Sequence, residues 1–240
     1  MDGVDPLAIA SRVEHDRWLL PVTDPYPALT PWRITAYVDR SLARNLDIVQ
    51  REVGHVSLLQ VDLRRDWPDS AELALPELGA TLDFLAEIAA DPTTGRLIDE
   101  LESALSPGPA AAVVVREIKL EFAWREDDLY APLLSAALDA CTSFARVALV
   151  NTDPHTDVRR RRFPDPSDRE RLATVEADML ENAGFGEYRG YHLASLTDPA
   201  YRALNTEIVL SWLLERLTTR RAGRMVTHHD SVSKARWYSG

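Results

Sequence analysis

Residues 111–122, AAVVVREIKLEF, and residues 146–150, RVALV, decide the fold. The first is a long β-branched run whose alternation sets Val115, Glu117, Lys119 and Glu121 on one side. The second is a short apolar strand. Between them Leu133, Leu134, Ala137, Leu138 and Cys141 recur at helical spacing. Strand, helix and strand with short connections imply a parallel pair and helices packed on a sheet.

Downstream, a polar loop is expected from Asn151 to about Ser167. Leu172, Val175, Met179, Leu180 and Ala183 then stripe a helix that stops at Gly184, a good residue for the left-handed turn that closes helices. Short strands follow around 185–189 and 191–196. The stretch Ile208 to Leu217 is apolar almost all round, so the helix it predicts belongs in a core or an interface.

Upstream, Leu97, Leu101 and Leu105 predict a short helix closed by Ser106-Pro107-Gly108-Pro109. Leu78, Leu82, Leu85 and Ala89 predict another, ending near Asp91-Pro92. Strands read at His55–Leu63 and Arg33–Asp39. Residues 1–32 carry Pro21, Pro25, Pro27 and Pro31 and are expected to be an irregular arm, held to the body by Trp18 and Trp32. The fold class is α/β (α+β), a mixed, twisted sheet flanked by helices. It divides into the arm 1–32, a body 33–200, and a C-terminal helix and tail 201–240, packed on the body or in a homodimer interface.

The chain has 240 residues, with 27 Lys and Arg against 38 Asp and Glu, hence a net charge of −11. Such an acidic chain repels nucleic acid, and no apolar run approaches the roughly 18 residues of a membrane helix. The single Cys141 rules out a disulfide framework or a cysteine zinc site and fits a reducing cytosol. The first residues lack the basic and apolar regions of a secretory signal. The expectation is a cytoplasmic protein acting on a small molecule, without nucleic acid, membrane or metal. His228-His229-Asp230 lacks a third ligand at sensible spacing and reads as tail. No G-x-S-x-G and no phosphate-binding P-loop motif occurs.

Three features resemble the second half of the GNAT superfamily of N-acetyltransferases. One is the long strand followed by Arg125-Glu126-Asp127-Asp128-Leu129-Tyr130-Ala131-Pro132-Leu133-Leu134, where the family places Arg/Gln-x-x-Gly-x-Gly/Ala before a helix. The second is the strand RVALV, and the third is Met179-Leu180-Glu181-Asn182-Ala183-Gly184-Phe185. Residues 111–196 are covered well, and the part from Gly54 onward loosely. The resemblance implies a sheet in which 111–122 pairs antiparallel with 55–63 and separates from 146–150, leaving a cleft. It further implies an acyl-coenzyme A or acetyl-coenzyme A donor, or an acyl-carrier protein, with Arg125, Asp128, Leu129, Tyr130 and Ala131 at the donor site.

This chain departs from the family pattern at two places. Asp128 and Tyr130 stand at the glycine positions, and with Glu126 and Asp127 they put acid where two phosphates would dock. Asp127 or Asp128 there is an ordinary N-cap. Leu180 stands where many members carry the tyrosine that protonates the departing thiolate, and leucine has no proton to give.

The candidate catalytic residues are Glu117 and Glu121, as base for an incoming amine, and His155, which follows a strand end where ligands commonly bind. Each has a plainer reading: a charged strand face for the two glutamates, a surface loop for His155. The basic run Arg159–Arg162 suits a phosphate of coenzyme A or an acidic carrier, or else a loop balanced by Asp157, Asp165 and Asp168. Three functions stay open: a GNAT-like acyltransferase with a remodelled donor site, a silent binding module, or an enzyme of another reaction type, such as a decarboxylase or cyclase.

Overall fold

Residues 6–15, 26–39, 52–73, 76–125, 128–153 and 155–235 are described by the structure, a computed structural model; the side chains at 6, 72, 77, 157, 158 and 219–235 lie outside that description. In chain order the elements are β1 (Ile9–His15), β2 (Leu29–Val38), β3 (Glu52–Asp62), α1 (Pro76–Ile88), a small hairpin of β4 (Ala90–Asp91) and β5 (Arg96–Leu97), and α2 (Asp99–Ala104). There follow β6 (Ala111–Leu120), α3 (Tyr130–Asp139), β7 (Val147–Val150), α4 (Asp157–Arg162), α5 (Pro166–Asn182), β8 (Gly186–Tyr188), β9 (Tyr191–Ser195) and α6 (Pro199–Ala235).

Seven strands make one sheet in the order β1-β2-β3-β6-β7-β9-β8, with β4 and β5 apart as a separate pair. Every neighbouring pair in the large sheet is antiparallel except β6 and β7. The mixed α/β class and the antiparallel pairing of β6 with β3 agree with the sequence reading. So does the parallel pair, which the α3 crossover requires.

Two apolar layers cover the sheet. On one face Ile34, Val56, Leu58, Val113 and Ala148 pack with Leu134 and Leu138 of α3, Leu180 of α5 and Tyr201 of α6. On the other, Leu59, Val61, Val114 and Leu149 pack beneath Leu82, Leu85 and Ile88 of α1 and Leu101 of α2. Arg146 enters this second layer buried, with its guanidinium held by Glu102 and by the carbonyls of Leu105 and Ser106. That pairing ties α2 to the start of β7 and answers the desolvation of a buried charge.

Two differences from the sequence reading have local causes. The arm 1–32 is not irregular throughout, because Ile9–His15 forms the edge strand β1, paired with β2 from Ile9↔Val38 to His15↔Trp32. Trp32 does hold this region to the body. Its ring lies between His15 and Phe144, at centroid distances of 4.3 and 4.8 Å. Trp18 lies outside the described residues. The loop 151–167 contains α4, whose start is capped by Thr156 Oγ1 accepting from the Arg159 N–H.

The C-terminal helix was expected in a core or an interface. It runs from Pro199 to Ala235 and buries Tyr201 and Asn205, yet Leu210 is 50% and Leu214 is 61% exposed. Ile208, Val209, Trp212, Leu213 and Leu217 are half-buried. Within the chain this helix is therefore covered along one side, not on several. Among the described residues, no helix is long and apolar enough to cross a membrane.

Candidate functional site

Two β-bulges build the polar end of the sheet. In β3, Gly54 pairs with Ala36 and Glu52 with Tyr37, so Val53 is an extra residue. In β6, Glu117 pairs with Ser57 and Val115 with Leu58, so Arg116 is an extra residue. An extra residue reverses the in-and-out alternation from that point on. Val113 and Val115 accordingly share the α3-covered face with Ile118 and Leu120, although the numbering changes parity. The expectation that Val115 lies on the same side as Glu117 is thus corrected: the bulge separates them.

The same reversals gather three groups that regular strands would keep apart. Glu52 and His55, three residues apart, come to one face, and Glu117 joins them from β6. His55 is 4% exposed. Its Nε2 lies 3.4 Å from Glu117 Oε2, and its Nδ1 lies 3.0 Å from Glu52 Oε1 and 2.9 Å from Arg33 Nη2. When Nδ1 carries the proton it donates to Glu52; when it does not, it accepts from Arg33. Either way the ring is fixed between two carboxylates. Glu117 is the exposed member, with Arg162 Nη1 of α4 3.9 Å from its other oxygen. Gly54 permits the close approach of β3 and β6, since a Cβ there would lie 2.4 Å from the Lys119 carbonyl oxygen.

The parallel ladder beside this cluster is short. It runs from Ala112↔Val147 to Val115↔Val150, covering all of β7. The expected separation of the two strands is thus corrected: β7 is paired with β6 over its whole length, and only β6 continues, to Leu120.

At the far end of β6 lies the start of α3. Its N-cap is Leu129, whose side chain accepts no hydrogen bond, so the cap expected from Asp128 is corrected. Asp127 and Glu126 lie outside the described residues. Asp128 has φ +47°, a left-handed backbone that glycine adopts at least cost. The residue that replaces a family glycine thus keeps a glycine-like conformation. Tyr130, half-buried, opens the helix. Burial, reinforced by Glu176 and opposed by Arg159, holds its phenol well above the usual tyrosine range.

Arg159 of α4 meets these groups at the end of β7. Its Nη2 donates to Glu176 and, at 3.2 Å, to the Asn151 carbonyl. Among the described residues its Nη1 is buried without a hydrogen-bond partner, a costly state for a guanidinium N–H that an anion would relieve.

The other sequence candidates are placed apart from the His55 cluster. Glu121 pairs with Lys119 at 3.1 Å. Arg125 donates from Nε to the Leu120 carbonyl at 3.3 Å and lies over the Phe122 ring. Ala131 is half-buried in the first turn of α3. His155 sits exposed in the turn after β7, its N–H donating to Asp153 Oδ1. Leu180 is fully buried in the core. His55 and Glu52 escaped the sequence reading, because a lone histidine in GHVSLL carries no signal until register brings its partners. Comparison with protein-family models, with curated proteins and with solved structures yields no match to this chain.

Proposed function

We propose that the protein is an acyltransferase of GNAT type, moving an acyl group from acyl-coenzyme A or an acyl-carrier protein to an amine. The observation that carries this reading is the His55–Glu117 couple, set on β3 and β6 just past the end of the β6–β7 ladder. An amine attacking an acyl carbon must shed a proton. Glu117 is the exposed carboxylate that receives it, directly or through water, and returns it to solvent as the acyl–sulfur bond breaks and the donor leaves as its thiolate, while His55, fixed by Glu52, holds that carboxylate in place. On the donor side Arg159 Nη1, without a hydrogen-bond partner among the described residues, and the start of α3, whose N-cap Leu129 makes no side-chain cap bond, supply N–H groups suited to phosphate. Asp128 opposes such an anion, which favours a weakly held donor or one presented by a carrier.

One observation favours a silent binding module instead. Leu180 is sealed in the core, so α5 supplies no acid for a departing thiolate at that position. Two measurements separate the readings. Acetyl-coenzyme A at about 100 times its dissociation constant should raise the unfolding free energy by about 2.7 kcal/mol. Radiolabelled acetyl transfer to a panel of primary amines should then depend on Glu117. Stabilisation without transfer selects the binding module, and no stabilisation by acetyl-coenzyme A or acyl-phosphopantetheine ends the acyltransferase reading.

A further inference from the structure

α6 is longer than the sheet it packs on. Its 37 residues span about 55 Å at about 1.5 Å per residue. The seven strands, at about 4.8 Å spacing, span about 29 Å, and β3 is about 36 Å long. Toward the body α6 presents Tyr201 and Asn205, both buried, and Trp212, which packs against the core layer that holds α3. Residues follow one another at roughly 100° around a helix, so Leu214, nine beyond Asn205, stands on the opposite side. It is exposed there, as Leu210 is.

The outward stripe has an ordered sequence. Glu207, Leu210, Leu214 and Leu217 recur at spacings of three, four and three, and four residues further on the sequence places Arg221. Glu207, Leu210 and Leu214 are exposed and Leu217 is half-buried. Thr218 adds little polarity to the middle of the stripe. Its Oγ1 donates to the Leu214 carbonyl at 2.8 Å, so the hydroxyl is engaged within its own helix. The stripe is therefore acidic at one end, apolar in the middle and basic at the other.

We infer that this stripe is a homodimer interface, in which two α6 helices pair antiparallel about a two-fold axis at Leu214. Such an axis sets a residue n positions after Leu214 against the residue n positions before it on the partner. Leu214 then meets the partner's Leu214, Leu210 packs beside the partner's Leu217, and Glu207 faces the partner's Arg221. Parallel pairing would instead set glutamate against glutamate and arginine against arginine, which repel. Charge complementarity thus selects a second copy of this chain, in one orientation, as the occupant of the face. The acyl-transfer reading uses no residue of α6, so each can fail alone.

Light scattering and sedimentation equilibrium of the full chain in about 150 mM NaCl test it. The mass should be twice 26.9 kDa, with a dissociation constant below about 10 μM. Leu214→Glu should give a folded monomer, since Leu214 is exposed within the chain. Glu207→Arg should weaken pairing about tenfold or more by facing the partner's Arg221, and adding Arg221→Glu should restore it to within about threefold of wild type. In the Cys141→Ala background, mild oxidation should join two chains through Leu214→Cys but not through Glu207→Cys, because antiparallel pairing holds the two 207 positions about 21 Å apart. This last measurement decides even where Leu214→Glu fails to fold. A wild-type monomer at about 100 μM overturns the inference. A dimer that Leu214→Glu leaves intact, a double exchange that does not restore pairing, or cross-linking through Glu207→Cys overturns it as well.

Discussion

His55 Nε2 and Glu117 Oε2 stand 3.4 Å apart although 62 residues separate them in the chain. Their meeting follows from register. His55 pairs with Lys119 and Ser57 with Glu117, so the two side chains are diagonal neighbours across β3 and β6. Were β6 to run past Arg116 without the bulge, Glu117 would face the core beside Val115. A carboxylate forced into that apolar layer would cost several kcal/mol, so the bulge is a condition of stability as well as of the site.

If this couple moves the proton in acyl transfer, Glu117→Gln should lower kcat by about 100-fold. Glu117 is exposed, so Tm and the circular-dichroism spectrum should not change. Glu121→Gln, whose carboxylate pairs with Lys119, should leave kcat within about twofold. Equal losses from both substitutions would remove Glu117 from the mechanism.

The left-handed backbone at Asp128 makes Asp128→Gly a test of the donor end. Relief of about 1 kcal/mol of strain should offset the added freedom of the unfolded chain, leaving stability within about 0.5 kcal/mol of wild type. Removing a carboxylate beside the start of α3 should tighten acetyl-coenzyme A by about fivefold, some 1 kcal/mol. Urea unfolding and calorimetry read the two effects separately. Weaker binding would show that Asp128 does not face the donor.

Burial pushes the Cys141 thiol up to about 12 from an ordinary 9.0. A raised native value means that stability is complete below pH 9 and lost as pH climbs from 9 through 12, where the unfolded thiol ionises and the native one does not. Tyr130 and Tyr201, also raised mainly by burial, add to the loss above their ordinary value of 10.0. Urea midpoints should therefore fall steeply between pH 9 and 11, and less steeply in Cys141→Ala. A disulfide reagent at pH 8 should label the native protein slowly and the unfolded protein at once.

Gly54→Ala should be among the most damaging single substitutions. The new methyl would sit 2.4 Å from the Lys119 carbonyl oxygen, a backbone atom that cannot turn aside. The expected loss is about 1–3 kcal/mol or more, with the His55–Glu117 contact lengthened. A variant with wild-type stability by urea unfolding would mean that β3 and β6 are less closely joined than described.

The strands at 33–39, 55–63, 111–122 and 146–150 were legible because apolar alternation reports burial whatever the partner. β1 was not, since Ile9–His15 is an edge strand with five exposed positions and little apolar pattern. α4 was hidden for a similar reason. Four arginines in six residues show no apolar stripe, and the signal that marks its start is the cap at Thr156. In the C-terminal helix, composition suggested a core or an interface. Within the chain the helix is packed along one side, and Leu210 and Leu214 stay exposed on the side left for an interface.

Sequence by itself determined the α/β class, the β6–α3–β7 crossover with its parallel pair, and the chemical oddity of acid at Asp128, because propensity and periodicity are local properties. Tertiary structure decided which charged groups meet. Glu52, His55 and Glu117 come together through two bulges, at Val53 and Arg116, that reverse alternation against the neighbouring strand. A bulge exists only relative to a partner strand, so no single stretch of chain announces it. A cavity lined by Asp153, Glu181, Glu187 and His192 is of the same kind. Its walls come from a loop, a helix and a hairpin whose packing is set by the core, and only that packing brings the scattered carboxylates together.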